Sequence, residues 1–379
     1  MKKVLIITNT CWNAFNYRKS LNRGLIKNSY QVVVLAMFDG FEKELQEMGI
    51  KVYPLKISAK GINPFEDFET LKEIYVFLRN HQPDMVFSFT IKPVLYGGLA
   101  CGLLGIKNVP TLTGLGTVFI KTNWLTSLVK ILYRISLWRS DYVVFQNLDD
   151  RDLFLNLKLV SSSKVKMVPG SGIDPNEFYF VEGVSLKASD ARGTSSHSLQ
   201  FLLVARMLWD KGILEYYEAA KELKKKYPQC RFQLLGPTGV ENRTAIPKET
   251  IEYWVNEGVI EYLPETNDVR PFIADADVMV LPSYREGLPR SLLEAASMGR
   301  PLVATDVPGC RDLLKNQNGI LCREKDSQSL AEAMEKMIHL TPQERQKMGS
   351  RSRQMIVEGF SDEIVVNEYL NLIKVICPT

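Results

Sequence analysis

The chain has 379 residues, of which 45% are hydrophobic and 24% are charged, which is typical of a globular protein with more than one domain. The net charge of +4 is unevenly placed: residues 1–180 hold 22 Lys and Arg against 15 Asp and Glu (+7), and the remainder holds 25 against 28 (−3). The six cysteines form no CxxC pair and the three histidines lie far apart, which argues against a disulfide framework and a zinc site.

The first half of the chain alternates strand-like and helix-like segments. It begins directly with a strand at 4–8, without the long apolar run of a signal peptide, so we expect a cytoplasmic protein. Further strands are predicted at 31–37, 51–57, 84–90, 108–114 and 142–147, with helical patterns such as 68–80 between them. This alternation predicts a parallel, doubly wound α/β sheet, that is, a Rossmann-like domain over 1–180.

A second alternating set follows a segment of low periodicity. Residues 181–198 are rich in Ser, Gly and Ala and are predicted to be a linker. Strands are then predicted at 199–206, 230–236, 259–264, 278–283, 301–306 and 319–322. We therefore expect a second Rossmann-like domain over 199–360 that faces the first across a cleft. Ligands of such sheets bind at the carboxyl ends of the strands.

The segment VARMLWDKG (204–212) is a candidate phosphate site. Arg206 ends a predicted strand, Lys211 lies five residues further on, and Gly212 opens the next helix. Two cations at a helix N-terminus suit a phosphate or diphosphate, because the backbone N–H groups and the helix dipole add to their charge. The two could equally be surface cations that flank a loop. Gly236, in LLGPTG, repeats the strand-to-glycine-loop pattern more weakly.

Two glutamates lie eight positions apart where a turn becomes a helix. Glu286 is followed at once by Gly287 and Leu288, and Glu294 lies within the helix that begins there. A carboxylate in the turn can accept hydrogen bonds from sugar hydroxyls, and the second can accept them from a ribose diol. The backbone N–H groups between them could meet a phosphate. Together with the cations, these residues describe a nucleotide-sugar pocket.

With these residues, the sequence closely resembles the retaining glycosyltransferases of family 4, which have the GT-B fold. The resemblance covers most of the chain and is densest between 199 and 315. It is carried by the segments GIDPNEF (172–178), ARMLWDKG (205–212), ADVMVLPSYREGLPRSLLEA (276–295) and GRPLVATDVPGCRDLL (299–314). Glu286 and Glu294 match the E-x7-E motif of the family, and Arg206 and Lys211 match its diphosphate-binding pair.

The resemblance implies a division of labour between the domains. The second domain would hold the nucleotide-sugar donor, the first domain the acceptor, and the last helix, at about 361–379, would cross back to the first domain. Arg206 and Lys211 would neutralise the departing diphosphate, Glu286 would orient the donor sugar and Glu294 would hold the ribose. Attack on the front face, with a diphosphate oxygen taking the acceptor's proton, needs no cofactor and no close carboxylate pair.

A DxD motif at 275–277 could suggest a metal site. Asp275 and Asp277 spell DxD, which binds a divalent cation in a different glycosyltransferase fold. Here the string directly precedes a predicted strand, at its amino end and away from the expected ligand edge. We therefore expect a helix-to-strand junction and no catalytic metal.

The acceptor side departs from the family pattern. Where many members carry a Gly-Gly loop after the first strand, this chain has Asn16 and Arg18; Arg18 could bind an acceptor phosphate or be an ordinary helix-start cation. Gly114 and Gly116 offer backbone N–H groups after a later strand.

Four segments resemble a bacterial subgroup. They are FNYRKSL, SFTIKPVLYGG, TGLGTVF and ARMLWDKG. Members of the subgroup transfer sugars, often N-acetylated hexosamines, to polyprenyl-diphosphate-linked acceptors in surface polysaccharide or glycan assembly. The same resemblance favours UDP over GDP in the donor.

Residues 121–140 predict an amphipathic helix. Its aromatic and aliphatic positions, Trp124, Leu128, Ile131, Leu132, Ile135 and Trp138, recur at helical spacing among Lys121, Lys130, Arg134 and Arg139. Such a helix can lie on an anionic bilayer, and we expect peripheral attachment to the inner face of the cytoplasmic membrane. A helix packed on the sheet with solvated cations fits the same pattern, and the two interpretations are compatible.

Other classes of function fit these residues less well. A nucleotide-sugar 2-epimerase of the same fold would need no acceptor, but its acid/base residues are not evident; a transferase with another donor and a soluble acceptor also stays open. A phosphorylase would need a much longer chain, and no G-x-G-x-x-G follows the first strand, as a dinucleotide oxidoreductase would require. A noncatalytic sugar-binding protein would lack Glu286, Arg206 or Lys211. Nucleic-acid binding rests only on the basic first half and is not expected.

Overall fold

The computed structural model describes residues 1–58, 63–115, 119, 124–181, 199–240 and 242–378. Contacts divide the chain into two compact units, Met1–Gly172 with Asp362–Thr379 and Ile173–Ser361. The predicted linker lies outside the described residues from position 182 onward.

The first unit is built on a seven-stranded parallel sheet in the order β3-β2-β1-β4-β5-β6-β7. Its strands are Lys3–Thr10 (β1), Gln31–Met37 (β2), Lys51–Pro54 (β3), Met85–Phe89 (β4), Asn108–Leu112 (β5), Val143–Phe145 (β6) and Val165–Met167 (β7). Its helices are Cys11–Asn16 (α1), Lys19–Lys27 (α2), Glu42–Glu47 (α3), Pro64–His81 (α4), Ile91–Leu104 (α5), Trp124–Leu137 (α6) and Leu148–Asn156 (α7).

Helices cover both faces of this sheet, which explains why its central strands are continuous apolar runs. Along β1, Leu5 and Ile7 belong to one buried cluster and Val4 and Ile6 to another. Because successive side chains of a strand point to opposite faces, these clusters are the two layers of core above and below the sheet.

The second unit is a six-stranded parallel sheet in the order β10-β9-β8-β11-β12-β13. Its strands are Gln200–Val204 (β8), Arg231–Leu235 (β9), Glu261–Leu263 (β10), Val278–Leu281 (β11), Leu302–Thr305 (β12) and Gly319–Cys322 (β13). Its helices are Ile213–Lys226 (α8), Lys248–Asn256 (α9), Arg270–Asp275 (α10), Arg290–Ser297 (α11), Ser327–His339 (α12) and Pro342–Gly359 (α13). Again the core has two layers, with Phe201 and Leu203 in one and Leu202 in the other. The predicted pair of doubly wound α/β units is confirmed.

The last helix, Asp362–Ile376 (α14), lies in the first unit. It packs on α2, and the buried Tyr369 places its hydroxyl 2.8 Å from the hydroxyl of Thr111 in β5. At the other end, the first unit stops at Gly172 rather than at the predicted 180. The reason is that Ile173 pairs with Ser361, and Phe178 is buried in the core of the second unit.

Along the parts of the chain that are described, no helix has both the length and the apolar character needed to cross a bilayer.

The burial of the cysteines gives the first testable prediction. Five of the six thiols are buried and only Cys377 is partly exposed. Burial also raises the pKa of Cys11 and of Cys322 to about 12, so these thiols stay protonated and unreactive near neutral pH. In native protein, Ellman's reagent should therefore modify Cys377 at most, and Cys377→Ser should leave no reactive thiol.

All six thiols should react once the chain is unfolded in guanidinium chloride. Rapid modification of two or more thiols in the native protein would contradict this packing.

Candidate functional site

The predicted donor-site residues follow strands of the second unit at one edge of its sheet. Arg206 comes two residues after β8, Gly236 comes directly after β9, and Glu286 comes five residues after β11. These three strands are neighbours and run parallel, so their carboxyl ends share an edge. This is the edge at which α/β sheets bind their ligands.

A lysine–glutamate ion pair lies at this edge. Oε1 of Glu286 accepts hydrogen bonds from Nζ of Lys211 and, at 2.7 Å, from the hydroxyl of Ser283. The lysine and glutamate side chains are only 22% and 14% exposed. A pair this far from bulk water is held more strongly than a surface pair, so the carboxylate has a defined position. Two of the three predicted catalytic residues are thus brought together.

Hydrogen bonds hold both the backbone and the carboxylate of Glu286. Its N–H group donates to the carbonyl of Pro308 at 3.2 Å. The hydroxyl of the fully buried Ser283 holds the carboxylate, and the carbonyl of Ser283 in turn accepts a hydrogen bond from the hydroxyl of Thr305, at the end of β12. The sequence interpretation missed Ser283 and Thr305. The sequence feature that could have identified them is a hydroxyl side chain at, or just beyond, the end of a buried strand.

Two glycines let the loops of this edge come close together. Gly212 has φ +69°, and a Cβ built on it would lie 2.1 Å from the carbonyl oxygen of Pro282. Gly236 has φ +137°, and its Cβ would lie 2.1 Å from the carbonyl oxygen of Ala205. No side chain fits at either place. The first contact draws the loop that carries Lys211 against the loop that carries Glu286.

Arg206 is exposed, unlike Lys211. Across the described ranges, its side chain enters no hydrogen bond or salt bridge. Its guanidinium is therefore available close to the end of β8, where two of its N–H groups can bind a phosphate or carboxylate side by side.

Glu294 lies in α11 and is buried, with 9% of its surface exposed. Nε of Arg290 donates to Oε1 of Glu294 at 2.8 Å. Burial raises the pKa of Glu294 above its ordinary value, and the charge of Arg290 opposes that rise. Leu288, predicted among the donor-binding residues, packs its side chain into the core beneath the loop, one residue after Gly287.

A further set of contacts ties these loops to their neighbours. The N–H group of Tyr284 donates to the carbonyl of Asp210 at 3.0 Å, and the hydroxyl of Tyr284 donates to the buried Glu215 at 2.7 Å. The carboxylate of Asp210 accepts the hydroxyl of Thr244 at 2.8 Å. The sequence interpretation did not single out these residues, which fix the loop between Arg206 and Lys211 from the outside.

The DxD string lies at the opposite edge, as predicted. Asp275 ends α10, and Asp277 immediately precedes β11. Oδ2 of Asp277 accepts the N–H group of Gln200, the first residue of β8, at 2.9 Å. This aspartate therefore binds the amino-terminal start of a strand.

The predicted acceptor residues lie in the first unit. The amide of Asn16, the last residue of α1, donates to the carbonyl of Trp12 at 3.2 Å. Arg18 is buried, with 3% of its surface exposed, and its guanidinium carbon lies 3.9 Å from the ring centroid of Phe89. It is therefore not an ordinary solvated helix-start cation. Gly114 follows β5 with φ +127°, and Gly116 lies outside the described residues.

Cys11, Asp39 and Glu42 form a group of possible metal ligands whose ligand atoms lie within 4.8 Å of one another. Both carboxylates already accept backbone N–H groups. The Asp39 carboxylate accepts that of Trp12 at 3.0 Å, and the Glu42 carboxylate accepts that of Asp39 at 2.7 Å. These bonds hold the start of α1 against the turn at Asp39 that precedes α3, which accounts for the group without a metal ion.

The chain is similar to known glycosyltransferases in sequence. A family described as "Glycosyl transferase 4-like" matches residues 3–147, and one described as "Glycosyl transferases group 1" matches residues 198–339. Among curated proteins, the chain is 26% identical to the N,N'-diacetylbacillosaminyl-diphospho-undecaprenol alpha-1,3-N-acetylgalactosaminyltransferase of Campylobacter jejuni, over 94% of each chain. It is 24% identical to the UDP-Gal:alpha-D-GlcNAc-diphosphoundecaprenol alpha-1,3-galactosyltransferase of Escherichia coli, over 82% of this chain and 80% of that one.

A solved structure with the same fold is that of Anabaena HepE in complex with UDP-glucose. The TM-score is 0.77 at 16% identity, over 99% of this chain and 100% of that one. The expected GT-B fold is confirmed.

The close approach at Gly212 can be tested by adding a single methyl group. Gly212→Ala should lower the free energy of unfolding by about 2 kcal/mol or more, because the new Cβ meets the carbonyl of Pro282 and the left-handed backbone is strained as well. Gly239→Ala is the matched control, since Gly239 has φ +66° with nothing within 4 Å of the new Cβ. It should cost only about 1 kcal/mol. Urea denaturation gives both values, and equal costs would rule out the clash.

The buried carboxylate of Glu294 predicts a pH effect with a definite sign. Its pKa is raised above the ordinary 4.5 in the folded chain, so the folded state holds the proton more tightly than the unfolded state. The contribution of Glu294 to the free energy of unfolding therefore falls as the pH rises from the pKa of the unfolded state through the pKa of the folded state. Relative to Glu294→Gln, wild type should lose free energy of unfolding between about pH 4 and pH 7. Urea denaturation at both pH values measures the difference, and a gain for wild type would reverse the assigned sign.

Proposed function

We propose that this glycosyltransferase, whose two units belong to the 4-like and group 1 families, transfers an N-acetylhexosamine from a UDP-sugar to a polyprenyl-diphosphate-linked saccharide. The observation that carries the proposal is the Lys211–Glu286 pair at the carboxyl edge of the second sheet. The transfer retains the configuration at the anomeric carbon and uses no metal ion.

The donor half follows from the charges at this edge. A nucleoside diphosphate gains negative charge on its leaving oxygen as the bond to the sugar breaks. Nζ of Lys211 and the exposed guanidinium of Arg206 stabilise that charge, as preorganised cations do in a partly water-excluded site. Nζ of Lys211 has three N–H bonds, so it can hold Glu286 and a phosphate oxygen together.

Glu286 then acts on the sugar. Its Oε1 accepts hydrogen bonds from Lys211 and Ser283, and a carboxylate of this kind can also accept hydrogen bonds from sugar hydroxyl groups. Hydrogen bonds of this kind fix the orientation of the sugar ring toward the departing diphosphate. Glu294, on the following helix, binds the ribose diol.

The chemical details have separate support. The two cations can do the work that a divalent metal does in other transferases, which supports a metal-independent reaction. Both curated relatives are named for alpha-1,3 linkages, which an alpha-linked sugar diphosphate gives with retention. UDP as the carrier is supported by the name of the Escherichia coli relative and by the UDP-glucose complex of the Anabaena protein.

The acceptor is inferred from the relatives. Both are named for sugars linked through a diphosphate to undecaprenol, and the Campylobacter protein is named for the transfer of N-acetylgalactosamine. An acceptor anchored in this way lies in a membrane. The enzyme would therefore act from the cytoplasm, at the inner face of the cytoplasmic membrane and peripherally attached to it.

A single assay separates this proposal from its alternative. Purified protein is incubated with a panel of UDP- and GDP-sugars and a polyprenyl-diphosphate-linked saccharide in EDTA, and the acceptor is followed by mass spectrometry. A mass gain of one N-acetylhexosamine, only with a UDP donor, is expected. Isomerisation of the donor without acceptor would indicate the 2-epimerase instead. Transfer that requires a divalent cation would contradict the metal-independent mechanism.

The roles of the ion pair predict large losses of turnover. Glu286→Gln and Lys211→Met should each lower kcat by about 100-fold or more, the usual cost of removing a charge-stabilising group. A matched control is the exposed pair Lys248–Glu252 of the same unit, whose side chains are 68% and 55% exposed. Glu252→Gln should leave kcat unchanged.

Circular dichroism should show that all of these variants are folded. Wild-type turnover by Glu286→Gln or Lys211→Met would remove the residue from its assigned role.

A further inference from the structure

We propose that the outward face of α6 docks the first unit on an anionic lipid bilayer. The α6 face consists of Leu128, Ile131, Ile135 and Trp138, with Leu103 at the end of α5 beside it. Residues 121–140 predicted an amphipathic helix that could both pack on the sheet and lie on a membrane. In the structure α6 has one buried and one exposed apolar side, which supports this combination.

The inner side of α6 packs against its own unit. Val129, Tyr133 and Leu137 are 7%, 1% and 2% exposed and belong to the core below the helix. The ring of Tyr133 meets that of Phe154 edge-on, with the centroids 5.0 Å apart. This side alone suffices to hold the helix on the sheet.

The outer side is also apolar, and its large side chains are exposed. Leu128, Ile131, Ile135 and Trp138 are 40%, 56%, 50% and 72% exposed, and their spacing of three, four and three residues places them in one row. Leu103, 71% exposed, follows Gly102, whose carbonyl accepts a hydrogen bond from Arg139 at 2.9 Å. A contiguous row of large apolar side chains marks an interaction surface, whereas single exposed ones do not.

Cations border this row and donate to backbone carbonyl groups. Arg134 donates to the carbonyl of Lys158 at 3.1 Å, and Nζ of Lys164 donates to that of Trp138 at 2.9 Å. The guanidinium carbon of Arg139 lies 5.3 Å from the ring centroid of Trp138. Within the described ranges, none of these side chains forms a salt bridge. The bonds to carbonyl groups fix the side chains but leave their charges uncompensated.

The charge around the α6 face selects the partner. Two lysines of the neighbouring elements are neutralised, because Lys92 pairs with Asp67 and Lys107 pairs with Asp141. The positive charge beside the α6 face therefore comes from Arg134, Arg139 and Lys164. A surface with apolar side chains in the middle and cations around it matches the interface of an anionic bilayer, with acyl chains below and phosphate groups above. A second copy of this chain would bring two such borders together and be repelled.

The inference rests on the proposed function only for its purpose, which is to bring the enzyme to a membrane-bound acceptor. Lipid binding itself requires no sugar chemistry. It can therefore fail while transfer is intact, and transfer can fail while lipid binding is intact.

The test is co-sedimentation with vesicles of phosphatidylcholine, with and without phosphatidylglycerol. Wild type should bind the mixed vesicles, and Ile131→Asn/Ile135→Asn should reduce that binding at least about tenfold. Val357→Asn/Val375→Asn is the matched control, since these valines are 50% and 65% exposed on other helices. It should bind as wild type does.

Fluorescence reports the depth of insertion. Brominated acyl chains should quench the tryptophan emission of wild type, and Trp138→Phe should remove most of that quenching. Transfer to a short-chain, water-soluble acceptor should be equal in wild type and in the Ile131→Asn/Ile135→Asn variant.

Three results would overturn the proposal. They are equal binding to vesicles with and without phosphatidylglycerol, unchanged binding by the Ile131→Asn/Ile135→Asn variant, and a wild-type dimer in sedimentation equilibrium that this variant converts to monomer. The last result would assign the α6 face to a second copy of the chain.

Discussion

The ion pair between Lys211 and Glu286 is the contact on which the catalytic account depends. Neither residue lies in a regular strand; both are carried on loops beyond the carboxyl ends of neighbouring strands. The loops meet because Gly212 has no side chain and lies against the carbonyl of Pro282. Hydrogen bonds from Ser283 and to Pro308 then fix Glu286. Backbone geometry, more than the charges themselves, thus determines where the positive and negative groups stand.

Much of this arrangement can be predicted from the sequence, because it follows from the spacing of hydrophobic residues and from the glycines at the ends of strands and helices. Buried runs such as those of β1 and β11 identify parallel strands, and a charged residue after such a strand must lie at the ligand edge. The buried hydroxyls of Ser283 and Thr305 could not be predicted, since their roles depend on neighbours in space. The same limit applies to Arg18, whose burial over Phe89 follows from packing between elements far apart in sequence. The first unit ends at Gly172 rather than at the predicted residue 180, because Phe178 belongs to the core of the second unit.

The two units use charge differently. In the second unit Lys211 and Glu286 are partly buried and fixed by hydrogen bonds, whereas Arg206 is exposed, and this combination suits the proposed stabilisation of a leaving diphosphate. In the first unit Arg134 and Arg139 beside α6 are exposed and donate to carbonyl groups, as suits an attraction to a charged surface. Part of the +7 surplus of residues 1–180 therefore lies beside α6, and the near balance of the remainder includes a pair of opposite charges at the donor edge.

The division of labour within the ion pair is the central claim, and UDP binding tests it directly because UDP carries the diphosphate without the sugar. Isothermal titration calorimetry should show that Lys211→Met weakens UDP binding by about tenfold or more, since a charge-assisted contact to phosphate is lost. Glu286→Gln should bind UDP as tightly as wild type, or more tightly, because its partner lysine is released and a nearby negative charge is removed. Equal weakening by both substitutions, or no change with Lys211→Met, would contradict the assignment of the lysine to the diphosphate and the glutamate to the sugar.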